Sequence, residues 1–257
     1  MIHQFTNIDP RAKIGEGVTI SSFSTIYGDV EIGEGTWIGP NVTIMDGARI
    51  GKHVKIFPGA VISAIPQDLK YKGEQTTAEI GDYTVVRECV TMNKGTSDRN
   101  KTAIGKNCLI MAYVHLAHDC IIGNNVILAN NVGLSGHITI DDWAILEGFA
   151  VAQQFVHIGA HSFIGGATLI RKNVPPYVKA AREPISYIGV NTVGLSRRGF
   201  EKDKIRLIED IYRTLFVRGH NMSKAMEMVE AEIPDCELKS EILNFIRNSK
   251  DGVIRGI

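Results

Sequence analysis

A chain of 257 residues with 44% apolar side chains has room for one or two domains with a real core, and its 28 basic residues against 28 acidic ones create no field favouring nucleic acid or a membrane surface as the main partner. No segment runs eighteen apolar residues without interruption, and the opening MIHQFTNIDP lacks the basic start and apolar stretch of an export signal, so a soluble cytoplasmic protein is expected. The four cysteines, Cys89, Cys108, Cys120 and Cys236, form no CxxC pair and suggest no disulfide framework.

From residue 8, isoleucine returns every six positions as far as Ile62. The phase resumes at Ile80, Val86 and Met92, then runs from Ile104 through Ile122, Leu134 and Ile158 to Ile170. Four residues after the anchor stands a small or β-branched residue, as at Val18, Ser24, Val30 and Ala48, and glycine often follows the anchor directly, as at Gly15, Gly33, Gly51 and Gly123. A helical period of 3.6 does not fit, and neither does the alternation of a half-buried strand. One large and one small inward residue in every six suit a short strand and a tight turn, three such units closing a triangular coil of eighteen residues. This is the hexapeptide signature of a parallel β-helix. The 25 anchors predict roughly eight coils, about 40 Å of prism at ~4.8 Å per coil. The glycines are expected to supply turn conformations that a Cβ would penalise.

Two polar stretches interrupt the rhythm and keep its phase, which marks them as loops ejected from the prism at 63–79 and 93–103. The first carries Asp68, Lys70, Tyr71 and Glu74 and has the chemistry of a site; the second reads as a mobile surface loop. After NVPPYVKAAREP the period ends, and an apolar stripe at 205, 208, 211, 212 and 215 predicts a helix, with two more expected over 223–231 and 236–248. The expected division is a β-helix over 1–190 and a C-terminal helical domain over 191–257.

Position within the hexad decides what the segment HLAHDC at 115–120 can do. Cys120 and Cys108 occupy the small inward position and belong in the core. His118 follows its anchor by two, at a turn, where it can face outward. Residues eighteen apart stack, so His118, Gly136 and Gln154 form one column and Asp119, His137 and Phe155 the next. A histidine beside a bare glycine backbone suits general-base acyl transfer with a main-chain N–H on the oxyanion; the plainer reading makes these glycines turn residues only. The column Asn130, Gly148 and Gly166 would let an extended hydrocarbon lie against the backbone. Zinc is a rival, as in trimeric hexapeptide-repeat carbonic anhydrases, but the pairs His115/His118 and His157/His161 lack their H-x4-H spacing. His157 and His161 are read as surface or interface residues.

The motifs QDLKYKGE at 67–74, HLAHDC at 115–120, ILANNVGLSGH at 127–137, QQFVHIGAH at 153–161, NVPPYV at 173–178 and GVNTVGLSRRGF at 189–200 are specific. Together they make the chain similar to the UDP-N-acetylglucosamine O-acyltransferase family of lipid A biosynthesis, over nearly its whole length and most weakly after about residue 220. The resemblance implies a mainly β fold, a left-handed parallel β-helix with a C-terminal α-helical domain, assembled as a homotrimer with its sites between subunits. It implies transfer of an (R)-3-hydroxyacyl chain from acyl carrier protein to the 3-hydroxyl of UDP-N-acetylglucosamine, with no metal and no organic cofactor. His118 would be the general base, Asp119 its orienting partner, and the Gly136 N–H the oxyanion contact. Asp68 and Lys70 would bind the glucosamine, with His115 and His137 lining the site. Gln154, Asn191, Arg197 and Arg198 would hold the nucleotide. Gly148, Gln153 and Gly166 would form the acyl groove, Gly166 leaving it open for a long chain.

Two departures stand out: Gln153 where the family commonly has histidine, and Val193 in place of an acidic residue. The competing expectations are another hexapeptide-repeat acyltransferase, N-acylating or CoA-dependent, and a non-catalytic trimeric scaffold. The 67–74 loop and coils that begin by residue 8 speak against the first. The presence of His118, Asp119, Asp68 and both arginines speaks against the second.

Overall fold

The computed structural model describes residues 1–256. Its strands are mostly two residues long and fall into three sheets of nine, eight and ten strands, parallel and each pairing with the strand three places on in the chain except at the C-terminal end of the ten-stranded sheet. The register is the hexad carried around a triangle: Ile8 lies on Ile26, Ile26 on Ile44 and Ile44 on Ile62. The anchors form the core, with Ile38, Ile44, Ile56, Ile62, Leu116 and Leu128 fully buried. Each contributes about 1.5–3 kcal/mol by burial, and each coil depends on the next to complete it.

The small inward residue does more than fill space. Ser24, Thr36 and Thr84 donate through Oγ to the carbonyls of Gly39, Gly51 and Gly105, at 2.7, 2.9 and 2.7 Å. Cys108 and Cys120 make the same contact through Sγ to Gly123 and Ser135, at 3.1 Å each. Both thiols are buried, and burial pushes that of Cys120 up to about 12. These are structural cysteines, as their hexad position predicts.

The expected role of the repeat glycines is corrected by the backbone. The left-handed residue of each turn comes three after the anchor and is usually not glycine: Asn41 (φ 57°), His53 (54°), Asp119 (60°) and His137 (64°) occupy it. Glycine directly after the anchor answers a different need. A Cβ at Gly33, Gly81 or Gly105 would fall 2.5–2.6 Å from the backbone of the next coil. Those glycines form a column where coils approach too closely for any side chain.

Call the corner after the nine-stranded sheet the first, that after the eight-stranded sheet the second, and that after the ten-stranded sheet the third. Eighteen residues separate Ile62 from Ile80, and twelve separate Met92 from Ile104, where six suffice at an uninterrupted corner. Both extra lengths therefore leave from the first corner, in successive coils. They are shorter than expected, because Thr77–Ile80 and Lys101–Ile104 are strands paired residue for residue, leaving loops of 65–76 and 94–100.

The prism ends in a hairpin of Val178–Ala181 and Ser186–Val190, the first strand of which adds to the ten-stranded sheet beside Phe163–Ile164. Four helices follow: α1 (Thr192–Arg197), α2 (Lys202–Tyr212), continued by a wider turn over Arg213–Val217, α3 (Met222–Glu232) and α4 (Glu237–Asn248). Helix α2 buries Ile208, Ile211 and Tyr212, and the Tyr212 hydroxyl donates to the Pro176 carbonyl at 2.6 Å. Rings of Tyr187, Tyr212 and Phe216 lie 5.2–5.7 Å apart and join helices to hairpin. The chain then returns, Asn173 bridging to Val253 and Ser186 to Arg255.

Candidate active site

The first corner assembles the site from successive coils. His118 and Asp119 turn one coil, His137 the next, and the loops 65–76 and 94–100 come from the two coils before. His118 is almost buried, its Nδ1 lying 2.8 Å from Asp119 Oδ2. Asp119 is fully buried and acts only as acceptor when ionised, so it fixes the proton on Nδ1 and leaves Nε2 as the basic nitrogen. Nε2 lies 3.9 Å from Asp68 Oδ2, on the side of the cleft. Gly136 makes room for the ring: a Cβ there would stand 2.7 Å from His118 Cε1 and 2.9 Å from Nε2. Its N–H donates to no group among the described residues.

The Asp119 carboxylate is held from the loop that sequence reading made a mobile surface segment. Thr96 donates to it through Oγ1 (2.6 Å to Oδ2) and through its N–H (3.1 Å to Oδ1), and the Arg99 N–H adds a further bond at 3.1 Å. The Arg99 guanidinium reaches the Asp119 carbonyl at 3.0 Å, and the Asp119 N–H donates to Thr102 Oγ1 at 2.8 Å. Burial works to raise this carboxyl's pKa. The hydrogen bonds from Thr96, His118 and Arg99 outweigh it and hold the group below its ordinary value.

His137 stacks on Phe155 with ring centroids 4.6 Å apart and meets His118 edge-on at 5.0 Å. Its Nδ1 sits 3.0 Å from Asp98 Oδ2, at an angle that misses hydrogen-bond geometry. The cleft of about 290 Å³ beside these rings is lined by Asp68, Lys70, Tyr71, Glu74, Asp98 and His137. His118, Asp119 and His137 offer atoms within 4.8 Å of one another, a spacing that an ion can bridge. They are a poor match for one, because the Asp119 oxygens already accept from four donors.

The remaining candidates are dispersed. His115 lies on the outer face of the nine-stranded sheet, its Nδ1 2.7 Å from Thr91 Oγ1, and burial lowers its pKa and favours the neutral ring. Gln153 and Gln154 are exposed at the first corner. Asn191 caps α1 by accepting from the Gly194 N–H, and its Nδ2 donates to the His161 carbonyl at 2.9 Å, so both ends of its amide are engaged within the chain. Arg198 lies at the second corner, 5.3 Å over the Trp143 ring and 3.3 Å from His161 Nδ1, while Arg197 is exposed. His161, read as a surface or interface residue, is half-buried. It stacks between Trp143 and Tyr177, and burial together with Arg198 lowers its pKa to about 4. Gly148 and Gly166 sit at the third corner, where a Cβ would meet Asn130 O at 3.3 Å or Gly148 O at 3.2 Å. His118, Arg198 and the pair Gly148 and Gly166 thus occupy three different corners of one chain.

A hexad-coiled parallel β-helix with a histidine–aspartate pair over a bare backbone defines a hexapeptide-repeat transferase, and the family model for bacterial transferase hexapeptides matches residues 29–64 and 101–136. The model described as Udp N-acetylglucosamine O-acyltransferase, domain 2, matches 173–257. The acyl-(acyl-carrier-protein)–UDP-N-acetylglucosamine O-acyltransferases of Thiobacillus denitrificans and Paracidovorax citrulli are 39% and 44% identical to this chain, each over 99% of both chains. The UDP-N-acetylglucosamine acyltransferase structure from Bacteroides fragilis superposes with a TM-score of 0.98 at 47% identity, covering 99% of this chain and 100% of that one. The Francisella novicida enzyme gives 0.95 at 38%, covering 99% and 94%. The chain belongs to the UDP-N-acetylglucosamine O-acyltransferase family, and its β-helix is left-handed as in those structures.

Proposed function

We propose that this protein moves an (R)-3-hydroxyacyl chain from acyl carrier protein to the 3-hydroxyl of UDP-N-acetylglucosamine, with His118 as general base. The observation that carries the reading is the His118–Asp119 pair: Asp119 engages Nδ1, and Nε2 lies over Gly136, 3.9 Å from Asp68 of the polar cleft. Nε2 takes the sugar hydroxyl proton as the oxygen attacks the thioester carbonyl. The tetrahedral oxyanion accepts from the Gly136 N–H, and collapse expels the carrier's thiolate, which takes the proton back from the imidazolium. Asp119, held ionised, stabilises that imidazolium. Asp68 and Lys70 would hold the glucosamine beside the base, and Arg197 and Arg198 the diphosphate.

The dispersal over three corners is the argument for a homotrimer, in which the first corner of one subunit meets other corners of its neighbours. The ten-stranded sheet supports it with an outward ladder of Val85, Leu109, Ile127, Ile145 and Phe163 in direct register. In the eight-stranded sheet the same outward position carries Lys13, Glu31, Arg49 and Glu79, with Lys13 paired to Glu31, and passes to Ala103, Ile121, Thr139 and His157 in the later coils. A five-step apolar ladder on an outer face calls for a partner. No helix among the described residues is long and apolar enough to cross a membrane, and the reading places the protein in the cytoplasm.

The test is transfer of a labelled 3-hydroxyacyl chain from acyl carrier protein to UDP-N-acetylglucosamine by the native protein and by His118→Ala. Product from the native protein alone is expected. Equal activity in both would overturn the assignment of the base.

A further inference from the structure

The loop 94–100 is short, leaves the prism one coil before His118, and turns its polar groups inward. Gly95 lets it fold back: a Cβ there would lie 2.3 Å from the Lys101 nitrogen. Thr76 Oγ1 donates to the Gly95 carbonyl at 2.5 Å and the Gly95 N–H to the Thr77 carbonyl at 3.1 Å, fixing the loop's start. The Asn100 N–H closes it on the Thr96 carbonyl at 2.8 Å, and the Thr77 N–H donates to the Asn100 carbonyl at 3.1 Å. So anchored, Thr96 lies buried at 7% exposure with its hydroxyl on Asp119 Oδ2, the same oxygen that His118 Nδ1 engages.

We infer that Thr96 is a positioning residue for the acyl transfer: its hydroxyl holds the Asp119 carboxylate in the orientation that fixes the His118 ring. The inference rests on His118 being the base. A carboxylate oxygen that accepts from several donors is restricted in rotation, and a threonine hydroxyl adds the shortest of them here without bringing charge into a buried site. Main-chain N–H groups of Thr96 and Arg99 complete the shell, so the hydroxyl is the one contact on this carboxylate, other than His118, that a side-chain substitution removes. The charged and titratable groups around it are His118, His137 with Nε2 at 3.9 Å, Arg99, and beyond them Asp68 and Asp98. Without the hydroxyl, Oδ2 keeps His118 Nδ1 and the Thr96 N–H, the latter at 3.2 Å and shared with Oδ1, while His137 Nε2 stands off at 3.9 Å and Arg99 is directed at the Asp119 carbonyl and Thr139 Oγ1, so the bond lost is the shortest one Oδ2 makes.

The experiment compares Thr96→Val, which keeps the shape and removes the hydroxyl, with Thr96→Ser, which keeps the hydroxyl and removes a methyl. Loss of one hydrogen bond to a charged group predicts a fall in kcat of about 10- to 100-fold for Thr96→Val, with KM for UDP-N-acetylglucosamine within about twofold. Thr96→Ser should recover most of kcat. The inference is overturned if Thr96→Val keeps native kcat, if KM rather than kcat carries the loss, or if Thr96→Ser is as impaired as Thr96→Val. His118→Ala, run beside them, separates the two claims: an inactive His118→Ala with a fully active Thr96→Val sinks only the role of Thr96, whereas an active His118→Ala sinks the base assignment itself.

Discussion

The two loops of the first corner are opposites. The longer one, 65–76, reaches outward and braces itself with its own turns: Lys70 and Tyr71 N–H groups donate to Asp68, and the Tyr71 hydroxyl donates to the Glu74 carbonyl at 3.0 Å. It leaves Leu69 fully exposed and Ile65 largely so. The shorter one, 94–100, turns back and spends its donors on a buried carboxylate. The outer loop brings chemistry to the cleft's rim through Asp68 and Lys70, while the inner one fixes groups that the prism has already placed. Polarity and lack of periodicity are alike in both, so function at this corner follows from the direction in which each loop turns.

The comparison can be broken most severely at the inner loop's target. Asp119→Asn would set a carboxamide NH2 against donors, and steady-state kinetics should show kcat lower by about 10³- to 10⁴-fold, as expected when a base loses its orienting carboxylate. Gly136→Ala comes next: the new methyl displaces the His118 ring, and the cost of such a misplacement is about 10²-fold in kcat. Gly166→Ala at the third corner meets only a 3.2 Å contact and should stay within about threefold, whereas Gly166→Met should shift donor preference from long to short acyl chains in a chain-length series. At the outer loop, Asp68→Asn should raise KM for UDP-N-acetylglucosamine by about tenfold with little change in Tm. If Asp68→Asn lowers Tm as much as Asp119→Asn does, the outer loop is structural and the contrast collapses.

The smallest effect concerns stability against pH. The folded pKa of His161 lies near 4, below its ordinary 6.5, so the unfolded chain binds the extra proton first. Stability from this residue is therefore complete above pH 6.5 and is lost as pH falls toward 4. Thermal melts of His161→Gln should be flatter over that window than those of the native protein.

The prism was legible because its anchors are spaced by geometry alone, and eighteen-residue arithmetic correctly stacked His118 on Gly136 and set Cys108 and Cys120 in the core. The same arithmetic places both loops at His118's corner, a signal present in the spacing of Ile62, Ile80, Met92 and Ile104. Thr96 and Arg99 were not legible, because a non-periodic loop gives no indication of which way its side chains turn. Asn191 shows the complementary limit. Its residue type fits a nucleotide contact and a helix cap equally, and only the backbone reveals the cap. His161 was read as a surface or interface residue, and the hexad contains no term for the rings of Trp143 and Tyr177 that flank it.

Strand pairing across the first corner has a consequence for how such a protein changes over time. Ile80 pairs with Ile50 and with Ile104, and Met92 with Ile62 and Leu116, whatever length of chain intervenes at the turn. Core register is thus blind to insertions at that corner, provided the anchor returns in phase. Catalytic parts can be lengthened, exchanged or added there as cartridges in a rack, while the same insertion within a strand would shift every later anchor out of the core.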